Sequence, residues 1–197
     1  MHTEIEAKEK VLELVNSGRE KDEDNEFVII SGTTLSENKD YWIIRANSRA
    51  YVEGGDQSMC YVGVNAYLVN TESGEIEIVG SATSVESFLQ QKYDLRAANG
   101  KHYVLICCHD HNEKETVIKI HRLFNCSPKK AKYLLSERKH WLTGQKIHLL
   151  SAQKLLREKG IETEIALLGT TESAIAIDSE FFWWERLEKI IANELAA

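Results

Sequence analysis

The hydrophobic period of this chain changes repeatedly, and those changes limit its folds more than any other feature. From Thr3 to Gly18 apolar residues recur at helical spacing: Ile5, Val11, Leu12, Leu14 and Val15 make a stripe. Thr3 with Glu6 forms a capping box and Gly18 supplies a stop. After the acidic run EKDEDNE (20–26), read as an exposed connector, the pattern becomes that of strands. FVIISG (27–32) and YWIIRANS (41–48) are rich in β-branched and aromatic residues. AYLVN (66–70) and EIEIVG (75–80) flank TESG, which predicts a hairpin turning at Gly74, with Ile76 and Ile78 on one face and Glu75 and Glu77 toward water. Thr83 and Glu86 predict a second capping box, opening a helix through Phe88 and Leu89 to about Leu95.

Residues 101–168 alternate differently. KHYVLICCH (101–109) is a near-continuous apolar run, as expected of a central strand. TVIKIHRLF (116–124) places Val117, Ile120, Leu123 and Phe124 on one helical face. Ser127 followed by Pro128, the only proline in the chain, predicts a capped helix start, with Ala131, Leu134 and Leu135 turned inward. HWLTGQK predicts a short strand ending near Gly144, LLSAQKLLREKG a helix stopped by Gly160, and IETEIALL a closing strand. In the tail, AIAID predicts a further strand, and Asp178 or Ser179 a cap for the helix EFFWWERLEKIIANELAA. Phe181, Trp184, Leu187, Ile191 and Leu195 share one face of that helix, whereas Phe182 and Trp183 lie off it; base rates of burial favour their packing between the two domains, and exposure would make them a partner anchor.

The expected class is therefore α+β. An N-terminal helix with a curved antiparallel sheet occupies 1–98, a β-α-α-β-α-β unit 101–168, and an extension with an amphipathic helix 169–197. No run of about 18 uncharged apolar residues exists, and the N-terminus lacks the apolar core of a signal peptide, so the expected place is the cytoplasm, away from the membrane. The net charge of −7 is divided into blocks. Residues 1–100 hold 9 basic and 18 acidic residues, 101–160 hold 13 and 5, and 161–197 hold 2 and 8. Such blocks either attract one another within the molecule or steer an acidic face toward a basic partner.

The first ninety-odd residues resemble a known family. The strand with Trp42, the loop Glu53-Gly54-Gly55-Asp56 and the hairpin GVNAYLVNTESGEIEIVG are similar to YrhB-like immunity proteins of polymorphic-toxin systems, although Ala66 stands where that family has proline. VLICCHDHNEKETVIKIHRLFNCSPKKAKYLL and LTGQKIHLLSAQKLLREKGIETEI resemble the C-terminal domain of the ribosomal stalk protein. The first resemblance implies a cytoplasmic antidote that binds a toxin domain. The second implies a helix face, here Lys114, Val117, Ile118, Lys119 and Arg122, of the kind that recruits translation factors, but Asn125-Cys126-Ser127-Pro128 replaces the family's glycine-rich turn.

Catalytic chemistry finds little footing. Cys107, Cys108, His109, Asp110 and His111 are the most reactive-looking cluster. Neighbouring Cys107 and Cys108 diverge on a strand, and no CxxC or HxxxH partner is present, which favours structural thiols over a metal or a Cys–His nucleophile; Cys126 leaves a three-ligand arrangement open. EGGD (53–56) lacks the phosphate-loop patterns. Lys129, Lys130, Lys132, Arg138 and Lys139 are not interleaved with aromatics, which reads as a solvated face rather than a nucleic-acid surface. No metal, cofactor or catalytic residue is assigned. The expectation is a protein that neutralises a bacterial toxin domain, a nuclease being one option, by covering it, through contacts at Glu53, Asp56, Glu72, Glu75, Glu77 and Trp183. The competing expectation is an adaptor or chaperone-like module that uses the second domain to bind a translation factor or protease.

Overall fold

A computed structural model describes residues 1–18, 26–110, 112–136, 139–171, 174–177 and 183–196, with backbone alone at 194–196. The chain forms two compact units, Met1–Leu89 and Gln90–Ala197, each α+β. The division falls inside a continuous helix rather than at residue 98.

In the first unit, α1 (Glu4–Asn16) opens with the expected capping box: the Thr3 hydroxyl accepts from the Glu6 N–H, and the Glu6 carboxylate accepts from the Thr3 N–H. Two strands, β1 (Phe27–Ile29) and β4 (Ala46–Ser48), pair antiparallel as a ribbon. Four others form an antiparallel sheet in the order β2 (Thr34–Leu35), β3 (Tyr41–Ile44), β5 (Val64–Asn70), β6 (Ile76–Gly80). Ala7 and Val11 of α1 pack on Ile44, Tyr67 and Val69, with Trp42 and Ile76 beside them. The α1 stripe is narrower than its spacing suggests, because Ile5 and Leu14 remain exposed. The hairpin turns where expected, with Gly74 at φ +70, and a Cβ there would collide with the His2 imidazole.

A short helix, α2 (Arg49–Val52), and one 3-10 turn (Gln57–Met59) fill the β4–β5 connection. Helix α3 (Val85–Ala98) is capped by Ser84, whose hydroxyl accepts from the Ser87 N–H, and not by Thr83. Asn99 and Gly100, both at positive φ, end it.

The second unit contains a mixed sheet in the order β10 (Ile175–Ile177), β8 (Leu142–Gly144), β7 (His102–Cys107), β9 (Thr163–Leu168). β7 is central, as its apolar run requires, and only β10 and β8 run parallel. Between the strands come α4 (Lys114–Leu123), α5 (Pro128–Leu134) and α6 (Lys146–Glu158), then α7 (Trp184–Ala196). Ser127 caps α5 through the Lys130 N–H. Leu105, Ile120, Leu134, Trp141, Leu149, Leu156, Leu187 and Ile191 belong to a single buried cluster. The tail is thus part of this unit: β10 extends its sheet, and α7 contributes Leu187 and Ile191 to its core. Trp141 donates its indole N–H to the Leu134 carbonyl at 2.6 Å and meets Phe124 edge-on. Asp178, Ser179, Phe181, Phe182, His111, Arg138 and residues 20–25 of the expected connector lie outside the described residues, as does the Leu195 side chain.

Candidate protein-binding surfaces

The groove of the first unit begins with two side-chain amides. Asn16, at the end of α1, donates to the Phe27 carbonyl at 3.1 Å and accepts the Phe27 N–H at 2.8 Å, fixing β1 to the helix. Asn47, 7% exposed in β4, accepts the Tyr61 N–H at 2.9 Å and donates to the Tyr61 carbonyl at 3.0 Å. Ser48 adds a bond to the Met59 carbonyl at 2.6 Å. These contacts hold Met59–Tyr61 against β4, and the Tyr61 ring lies on Phe27 with centroids 5.0 Å apart.

An apolar groove of about 400 Å³ results. It is lined by Leu14 and Val15 of α1, Phe27, Ala46, Tyr61, Val62, Val64, Tyr67 and Ile78. Its rim is unusually exposed for such side chains: Val62 is 89% accessible, Ile78 53%, Leu14 44%, Tyr61 44% and Val64 41%. Scattered apolar residues at a surface are ordinary, whereas several converging on one concavity mark a contact site.

The acidic candidates do not converge. Glu72 and Glu75 are exposed at the β5–β6 turn, which adjoins the start of β3 through the Tyr41–Asn70 pair. Glu53 and Asp56 follow the far end of β3, beyond β4. Glu53 is committed to Arg49, which also holds Glu26, and Asp56 caps the 3-10 turn through Ser58. The Ser58 hydroxyl and N–H hold the Asp56 carboxyl below its usual range. The expected orientation of β6 is also revised. Glu77 is half-buried and accepts from the Tyr41 hydroxyl at 3.0 Å, while Ile78 stands in the open because the helix covers the sheet only as far as Ile76.

In the second unit, Ile118, Lys119 and Arg122 do share the outer face of α4. With Glu115 and Leu123 they line an open cleft of about 520 Å³. Ile118 is 49% exposed, and Lys119 donates to the Gly160 carbonyl at 3.1 Å. Lys114 is exposed one turn earlier. Val117 is not on this face: at 7% exposure it belongs to the core, facing inward with Ile120. Trp183 is 53% exposed, with the Arg186 guanidinium 5.9 Å from its ring.

The cysteine–histidine segment is a structural junction. His109 faces the Glu113 carboxylate through Nδ1 at 3.1 Å and accepts the Glu162 N–H at Nε2, also at 3.1 Å. Its neutral form with the proton on Nδ1 satisfies both contacts. The Thr116 hydroxyl, ahead of His109 in effect, holds the Glu113 carboxyl below its usual range. Burial pushes the Cys107 thiol up to about 11, the reverse of an activated nucleophile. Cys108 is exposed on the other side, and burial and nearby glutamates raise its pKa as well. Among the described residues no three His, Cys, Asp or Glu side chains are grouped to hold a metal ion. No helix of the described chain is long and apolar enough to cross a membrane. Of the basic residues, Lys129, Lys130 and Lys132 are exposed, but Lys139 is 2% exposed and stacks 5.6 Å from the Tyr133 ring.

Compared with known proteins, the chain matches no family model, no curated protein and no solved structure. Of the groove residues, Leu14 and Ile78 are legible in the sequence only as members of a helix stripe and a strand face, and Tyr61, Val62 and Val64 carry no expectation; the signal for these three is the run Tyr61-Val62-Gly63-Val64 between a turn and a strand.

Proposed function

We propose that the chain is an immunity-type binding protein that covers a bacterial toxin domain and so neutralises it. The exposed groove at Tyr61, Val62 and Ile78 carries this reading, because a protein contact is the ordinary use of so much converging apolar surface. The acidic balance of the first hundred residues suits a partner with a basic surface, such as a nuclease domain, and speeds encounter without needing one compact acidic patch. The raised Cys107 thiol and the fully engaged His109 ring favour binding over bond-breaking. The test is titration calorimetry of the purified chain against toxin domains encoded beside it. One-to-one binding to such a domain, with loss of its activity, is expected; no binding to any of them removes the proposal.

A second reading has its own observation. The α4 cleft, lined by Ile118 and Leu123 with Lys119 and Arg122 beside them, suits an apolar helix with acidic flanks, as an adaptor for a translation factor or protease would require. Loss of the cellular effect in Lys119→Glu with Arg122→Glu would favour it.

A further inference from the structure

We propose that the open edge of β6 is a strand-docking site for an extended segment of the partner. That segment carries apolar residues at alternate positions and lysine or arginine between them. The inference rests on the partner-binding reading and adds the form and chemistry of what is bound.

β6 ends its sheet: among the described residues it pairs with β5 alone. The register fixes which backbone groups face outward. Asn70 donates its N–H to the Glu75 carbonyl, so the bonded pairs continue as Leu68–Glu77 and Ala66–Val79. Val69–Ile76 and Tyr67–Ile78 are then the non-bonded pairs, and the N–H and C=O of Ile76 and Ile78 point away from β5, toward the open edge.

The side chains point to the same use. Ile78 lines the groove with Val64, Tyr67 and Tyr61, so a strand added beside β6 sends every second side chain into that apolar space. Edges that must not pair are usually blunted by lysine, proline or a bulge. β6 has neither residue, and the irregularity near Val64–Ala66 is in β5. The intervening positions carry the exposed Glu75 and the half-buried Glu77, whose carboxylate accepts from the Tyr41 hydroxyl, so Glu75 supplies most of the negative charge beside the edge. Two copies of this edge would bring carboxylates face to face, whereas lysine or arginine across the ladder is favourable. The edge therefore selects a basic strand over a second copy of itself.

The experiment uses the full chain and three synthetic seven-residue peptides: alternating valine and lysine, alternating valine and glutamate, and the lysine peptide with alternate backbone nitrogens methylated. Amide shifts and hydrogen exchange report the site, and fluorescence anisotropy the affinity. The lysine peptide is expected to bind, protecting the Ile76 and Ile78 amides and shifting Val64 and Tyr67. The glutamate peptide should bind at least about tenfold more weakly, and methylation should abolish binding. Ile78→Pro removes an edge N–H and leaves the β5 ladder intact, so binding should be lost with the circular dichroism unchanged. Equal binding of the methylated or glutamate peptide, shifts confined to other residues, or no binding of the lysine peptide overturns the inference. So does a dimer in sedimentation that Ile78→Pro dissolves. Because no toxin is present, peptide docking can hold while every toxin domain fails to bind, in which case only the immunity reading falls. Full neutralisation of a toxin by Ile78→Pro would leave that reading standing and remove this one.

Discussion

The two units apply the same materials, helices on a sheet, to opposite ends. In the second, strand and helix side chains from Leu105 to Ile191 form one closed cluster. In the first, only Ala7 and Val11 of α1 are fully buried, and the sheet face beyond Val15 is left open to Ile78 and Val64. Closure concentrates stability, and an uncovered face leaves apolar surface for another molecule to bury. The difference follows from reach. The 13-residue α1 ends at Asn16, whose amide ties it to Phe27, before it covers the far end of β5 and β6.

Substitutions can break that contrast. The largest effect is expected at Trp141, 1% exposed: Trp141→Ala should cost about 3–5 kcal/mol in urea unfolding, because it opens a cavity and strips the Leu134 carbonyl of its donor. A loss below about 1 kcal/mol would show that the second core is less closed than described. Within the first unit, Ile44→Ala should cost about 2–4 kcal/mol and Ile78→Ala less than about 0.5, although both are isoleucines of the same sheet. Equal costs would mean that the Ile78 end of the sheet is covered after all. Asn47→Ala should cost about 1–3 kcal/mol and free Met59–Tyr61, read as loss of Tyr61–Phe27 cross-peaks by NMR.

The smallest effect concerns the thiols. Burial stabilises the neutral Cys107, so its contribution to stability is complete below the unfolded thiol's pKa near 9 and is lost as pH rises through about 11. Iodoacetamide at pH 8 should therefore modify exposed Cys108 well before Cys107, with the two rates converging toward pH 11. Faster modification of Cys107 would contradict the burial that raises its pKa.

Much of this fold was legible because local chemistry states it directly. Thr3 with Glu6, Ser127 with Pro128, and the Gly74 turn each became the cap or turn that their residue types require. The run 101–109 marked the central strand of its sheet. What failed needed knowledge of extent. Alternation in EIEIV separates two faces of β6 but does not say how far α1 covers one of them, so Ile78 was expected inside and Glu77 outside. Likewise the apolar spacing of α4 identified an inward face containing Val117, and only packing decides that Ile118 stands beyond its border. The groove depends on Asn47 drawing a distant loop to β4, a contact between positions 14 residues apart that periodicity cannot register.

The most direct test compares two double variants of the full chain in a neutralisation assay against the toxin domain that the proposed function predicts: Val62→Asp with Ile78→Asp, and Lys119→Glu with Arg122→Glu. The expected result is that the first pair loses protection, with its circular dichroism intact, while the second protects as wild type does. Protection kept by the groove pair and lost by the α4 pair would contradict the assignment of binding to the open face of the first unit.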